Sequence, residues 1–188
     1  DEEIKRFHGF ASLISMVITI YKQKYEIDSH RDLIERTRVY NYKPFMSRAE
    51  LMFSLMRRYN RDLTMCVMKI DNFENLQRLI GKAKTNDIIQ HIISVFQRFM
   101  RSSDLVGRIY KDMFAIYMPE TTMKNSHTIV ERLQAQILNN KLMANCILGW
   151  GIVEDTEEMK SVSQFIHLGE KAAFESARND GVLTDYKE

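Results

Sequence analysis

The sequence predicts an α/β protein of the α+β sandwich kind, helices packed around a mainly antiparallel central sheet. Three observations carry that prediction. Compact apolar runs of strand length alternate with longer stretches of helical period. Two of the strands stand only a polar pair apart, which is the spacing of a hairpin. With 188 residues and 45% hydrophobic side chains, the chain has enough apolar mass for one good-sized core plus an extra element.

The elements follow in order. From Ile4 the residues Ile4, Phe7, Ala11, Ile14, Ile18, Tyr21 and Tyr25 recur at alternating steps of three and four, the seam rhythm of a coiled coil. Phe10, Leu13, Val17 and Ile20 add a second apolar line beside it, a wider stripe than a two-stranded seam requires. Periodicity leaves two fates open for this amphipathic helix: pairing with a second chain or partner protein, or folding back onto its own domain. The charged stretch from Asp28 has no clear period and reads as a connector. The expected division is a helix over 1–27, a connector over 28–33 and a globular domain over 34–188.

A helix is expected over 44–59, with Pro44 in its first turn, where a missing N–H costs nothing, and Phe45, Ala49, Met52, Phe53 and Met56 on one face. Residues 63–70 form an apolar run rich in Val, Met and Ile, a buried strand. A short helix over 75–83 and a longer one over 86–100 come next. Strands at 105–109 and 113–118 flank Lys111 and Asp112, and this hairpin is expected at the centre of the sheet. Pro119 stops the second strand. A helix over 123–138, a strand over 146–153 and a helix over 162–177 complete the series; Asp180-Gly181 makes a turn before a tail with the makings of an edge strand.

Composition narrows function. Lys and Arg number 27 against 25 Asp and Glu, a net charge of +2, which gives no broad basic surface for nucleic acid. The longest apolar stretch, 9–20, is short of the roughly 20 residues needed to span a bilayer, and it lacks a signal-peptide pattern. Cys66 and Cys146 have no metal-ligand neighbours in sequence and read as two buried free thiols in a reducing cytosol. The five histidines are scattered without a paired zinc motif, so neither a metal nor a cofactor is expected.

One segment carries a resemblance. Arg101-Ser-Ser-Asp-Leu-Val-Gly-Arg-Ile-Tyr-Lys-Asp-Met-Phe114 resembles, in register and without gaps, the RxxD-x-x-x-R-x-GGDEF-F stretch of the GGDEF family, the fold of diguanylate cyclases. The likeness extends to Asp71-x-Phe73, Gly81, Thr37-x-Val-x-Asn41-x-x-x-Phe45, Gly151 and Ala177-Arg178-x-x-Gly181, covering about residues 34–185. Several short matches in the right order and spacing are much more specific than any one of them.

The resemblance implies a degenerate member. In the family two acidic residues bind the metals that polarise GTP and activate its 3′-hydroxyl; their places hold Lys69 and Asp112 here. Exchanging a metal-binding carboxylate for an ammonium turns attraction into repulsion, about 4 kcal/mol per pair of unit charges at 4 Å and an effective dielectric of 20. The two glycines that let the backbone approach the phosphates correspond to Tyr110 and Lys111, and the next acid to Met113. The guanine-reading Asn and Asp correspond to Gln77 and Asn86, the lysine of the DxDxFK run to Glu74, and the lysine near the end of the last helix to Arg178. Loss of cyclase activity is what these replacements imply.

The RxxD inhibitory site survives as Arg101 and Asp104. An arginine can donate two parallel hydrogen bonds to guanine O6 and N7, and an aspartate accepts from N1 and N2, so together they read both edges of the base. The same pair can equally be a helix cap and surface charge. Known sites add an arginine from a neighbouring face or protomer, which one sequence does not assign. The resemblance therefore implies a cytoplasmic, non-catalytic module, joined to an upstream sensor or membrane region, that binds cyclic di-GMP in biofilm, motility or exopolysaccharide signalling. The other reading is a nucleotide-independent scaffold for dimerisation or protein contact.

Overall fold

In a computed structural model, residues 37–179 and 183–185 are described; the helix expected over 1–27, the connector over 28–33 and the Asp180-Gly181 turn lie outside them. The order is β1 (Val39–Asn41), α1 (Tyr42–Arg58), β2 (Leu63–Ile70), α2 (Phe73–Phe99), β3 (Leu105–Tyr110), β4 (Met113–Pro119), α3 (Met123–Leu138), a 3-10 turn (Lys141–Met143), β5 (Leu148–Glu154), α4 (Val162–Arg178) and β6 (Thr184–Asp185).

The six strands make one mixed sheet in the order β1-β3-β4-β2-β5-β6. Its three inner pairings are antiparallel, while β1 with β3 and β5 with β6 are parallel. The middle pair is β4 and β2, so the β3–β4 hairpin sits to one side of the centre where it had been expected. Burial explains the order: every residue of β4 is buried and β2 is buried except at Lys69, as strands covered on both faces must be.

Each face of the sheet has its own core. Phe45, Phe53, Met65, Tyr117 and Phe165 pack under α1 and α4, and Met68, Ile92, Phe96, Phe114, Val130 and Trp150 under α2 and α3. Full burial of an aliphatic or aromatic side chain contributes about 1.5–3 kcal/mol, so these two layers fix the frame on which polar groups are displayed. Side-chain caps set two of the helix starts. Thr122 accepts from the Asn125 N–H and Ser161 from the Gln164 N–H, satisfying donors that a helix start leaves unpaired.

Three local departures from the sequence reading have physical causes. The two helices expected over 75–83 and 86–100 are present, but they meet at Gly81, earlier than expected, because its φ of 82° suits glycine alone; Thr85 Oγ1 then donates to the Gly81 and Lys82 carbonyls. The strand expected from residue 146 starts at Leu148, because the Cys146 N–H closes a turn on the Met143 carbonyl. That turn leaves Cys146 only half-buried, whereas Cys66 is fully buried and burial pushes its thiol pKa up.

One close approach positions the site. A Cβ on Gly151 would fall 2.1 Å from the Gly169 carbonyl oxygen, and one on Gly149 1.9 Å from that of Ala173. Only glycine at these two places of β5 lets α4 lie this tightly on the sheet, and that brings Glu170 of α4 over β2.

Candidate functional site

The residues of interest fall at opposite ends of the sheet. At one end are the last residues of β2, the β3–β4 turn, the start of α2 and the end of α4. There Lys69 stands opposite Met113 on β4 and Gly149 on β5, and its ammonium meets Glu170 Oε1 at 3.1 Å. Lys69 is thus a half-buried lysine paired with a carboxylate of α4.

The turn beside it is also internally tied. Arg108 donates through Nε to the Tyr110 carbonyl at 3.3 Å and through a terminal nitrogen to that of Lys111 at 2.5 Å. A register shift between Arg108 and Tyr110 marks the bulge that turns Tyr110 outward, 53% exposed. The Ile70 N–H donates to the Asp112 carbonyl, and Met113 is buried in the core beneath. Lys111 Nζ reaches Glu74 Oε1 at 2.6 Å; that hydrogen bond and the lysine's charge hold the Glu74 carboxyl below its usual range.

Half-buried Gln77 and exposed Asn86 lie on either side of the Gly81 break. The Arg178 guanidinium lies 5.4 Å from the centre of the Phe174 ring, against a side chain itself 45% exposed. Among the described residues, no group of three or more His, Cys, Asp or Glu side chains is arranged to hold a metal ion.

At the opposite end α2 finishes and the chain turns into β3 through residues 101–104. The Asp104 carboxylate folds back on this turn: Oδ2 accepts the Arg101 N–H at 2.9 Å, and the Asp104 N–H donates to the Arg101 carbonyl at 3.2 Å. Burial, the largest influence, raises the Asp104 carboxyl above its ordinary pKa, against the lowering effect of the Arg101 backbone, the Arg101 charge and the Ser103 hydroxyl. A cleft of about 230 Å³ opens beside the turn, with Arg38 and Val39, Phe96, Gln97 and Met100, and Arg101 and Asp104 among its lining residues.

Sequence reasoning singled out Arg101 and Asp104 but missed their neighbours. Arg132 of α3 donates to the Phe99 carbonyl at 3.4 Å and lies 5.8 Å from the Phe99 ring centre, two residues from Arg101. Arg38 reaches the cleft from the opposite side, at the start of β1. Neither had a signal in the sequence, because each is joined to the turn only by the fold. Glu170 was missed for the same reason, lying 101 residues from its partner Lys69.

A six-stranded mixed sheet with this hairpin at one end and an Arg-x-x-Asp turn at the other defines a domain of the nucleotidyl cyclase-like GGDEF class. The chain belongs to the GGDEF family, described as diguanylate cyclase, GGDEF domain, which matches residues 30–181. Among similar proteins, the probable diguanylate cyclase DgcC of Escherichia coli K12 is 29% identical over 113 residues, 60% of this chain and 30% of its own length. The diguanylate cyclase DosC of the same strain is 22% identical over 135 residues, 70% of this chain and 29% of its own. The chain thus spans about a third of the length of these curated relatives.

Solved structures share the fold. The GGDEF domain of DgcB from Caulobacter crescentus, in complex with c-di-GMP, superposes with a TM-score of 0.74 at 16% identity, over 84% of this chain and 94% of that one. The active GGEEF domain of a diguanylate cyclase from Vibrio cholerae gives 0.72 at 16% identity, over 79% and 97%. No described helix is long and apolar enough to cross a membrane.

Proposed function

We propose that this chain is a catalytically silent GGDEF module that binds cyclic di-GMP at the Arg101–Asp104 turn and passes that state to a partner through its N-terminal segment. The observation that carries the loss of catalysis is the ion pair between Lys69 and Glu170. A metal ion at this position would meet a fixed ammonium in place of a ligand, and the carboxylate beside it is already engaged. Lys111 and Glu74 repeat the pattern on the turn. A lysine that replaces a glycine and is tied across to α2 stands where a triphosphate needs bare backbone.

The ligand reading rests on the other end. Arg101 and Asp104 lie within a single turn, beside a cleft and a further arginine, Arg132. Arg132 fits the place of the additional arginine that sites in the family draw from a neighbouring face. Oδ2 of Asp104 accepts the Arg101 backbone N–H and Oδ1 the Ser103 hydroxyl at 3.5 Å, which orients the carboxylate while leaving further lone pairs to accept from guanine N1 and N2.

Isothermal titration with cyclic di-GMP tests the reading. Micromolar or tighter binding that Arg101→Ala abolishes supports it, and silence at high ligand concentration favours the nucleotide-independent scaffold. Incubation with GTP and magnesium or manganese is expected to give no product; turnover that Asp112→Ala removes would overturn the claim of silence.

A further inference from the structure

We infer that the cleft between β1 and the end of α2 is a purine-base pocket in which Arg38 acts as a second arginine, so that the ligand ties the edge strand β1 to the Arg101–Asp104 turn. This rests on the proposed cyclic di-GMP site and adds a residue, a binding place and a consequence to it. The cleft has an apolar floor, drawn from Val39, Phe96, Met100 and Val106, and a polar rim formed by Arg38, Gln97, Arg101 and Asp104. Apolar walls under a few convergent polar groups suit a heteroaromatic ring. Two guanidiniums and an amide on the rim supply donors for base acceptors and a phosphate, and the single carboxylate accepts from the donors of a guanine edge.

Size decides how much of the ligand enters. At about 230 Å³ the cleft is smaller than the roughly 300–1,000 Å³ that holds a drug-sized molecule. It takes one base and leaves the phosphates and the second base outside, on the side of the turn where Arg132 lies.

The consequence follows from β1. This strand has three residues, pairs among the described residues only with β3, and is the first described strand after the N-terminal segment. Its entry is held by the Thr37 side chain, which accepts from the Val39 N–H at 3.2 Å and donates to the Val39 carbonyl at 3.4 Å. A short edge strand with one ladder is among the elements that open most easily. A ligand gripping Arg38 and Arg101 together closes it and orders the point where the preceding segment joins the domain.

The test is isothermal titration of cyclic di-GMP with the full chain, comparing wild type with Arg38→Ala, Gln97→Ala and Arg101→Ala, and with Arg61→Ala as a cation control outside the cleft. Arg38 and Gln97 are exposed, so their truncation leaves the core intact. Arg38→Ala is expected to weaken binding about tenfold or more and Gln97→Ala by a smaller factor, with Arg61→Ala unchanged. Hydrogen exchange at residues 38–41 is expected to slow on ligand addition in the wild type and not in Arg38→Ala. If Arg101→Ala abolishes binding while Arg38→Ala and Gln97→Ala bind as wild type, the pocket is overturned and the Arg101–Asp104 site stands. If wild type itself does not bind, both are overturned.

Discussion

The two ends of the sheet, separated by the six residues of β3 or roughly 20 Å, display the same kinds of side chain to opposite effect. At the hairpin end the cations are spent on the protein itself: Lys69 on Glu170, Lys111 on Glu74, Arg108 on the turn carbonyls. At the other end Arg38, Arg101 and Asp104 border a cleft, and the desolvation of Asp104 outweighs what the Arg101 backbone and charge and the Ser103 hydroxyl return to it. The lesson is that a charged group marks a binding site by what its fold leaves unmet. Charge that is already paired marks structure.

The largest expected effect breaks that contrast at its open end. Arg101→Ala removes a charge-assisted interaction of at least about 1.5–3 kcal/mol and is expected to abolish cyclic di-GMP binding by titration, whereas Lys111→Ala leaves affinity unchanged. Equal losses in both variants would erase the distinction between the ends.

Acidity sharpens it next. The folded chain holds the Asp104 proton more tightly than the unfolded one, so this group favours folding most at low pH, and that contribution is lost as pH rises through the raised pKa. Ligand binding needs the carboxylate and runs the other way. Affinity is expected to fall with acidification beginning above the ordinary aspartate range, by up to tenfold per pH unit, and Asp104→Asn is expected to flatten the profile. A flat wild-type profile down to pH 4 would remove Asp104 from the site.

Smaller effects belong to the closed end. Lys69→Ala costs about 1 kcal/mol or less, since the pair is partly solvated and screened, and a domain of this size then melts about 2–4 °C lower per kcal/mol. Glu74 is exposed, so Glu74→Gln is expected to leave the melting temperature unchanged within error. A larger drop in either variant would show that these pairs hold the fold together.

Much of the frame was legible because it is local. The runs at 63–70 and 113–118 and the Lys111-Asp112 turn are set by neighbouring residues, and all appear within a residue of their expected places. Val39–Asn41 was not foreseen as a strand, because three residues carry no period and β1 exists only through its pairing with β3. The hairpin's displacement from the centre likewise depends on β2 inserting between β4 and β5. Of the site, single residues could be aligned with a family pattern, but their partners could not. Glu170 meets Lys69 only because Gly149 and Gly151 bring α4 down on β5, and Arg132 reaches Phe99 only because α3 packs beside α2.

Amide chemical-shift mapping of the full chain with cyclic di-GMP tests the division of labour most directly, since it views both ends in one spectrum. The expected shifts centre on residues 101–106 and 38–40, with residues 69–74 and 110–113 unmoved. Shifts centred on 69–74 and 110–113 would place the nucleotide at the hairpin and contradict the account.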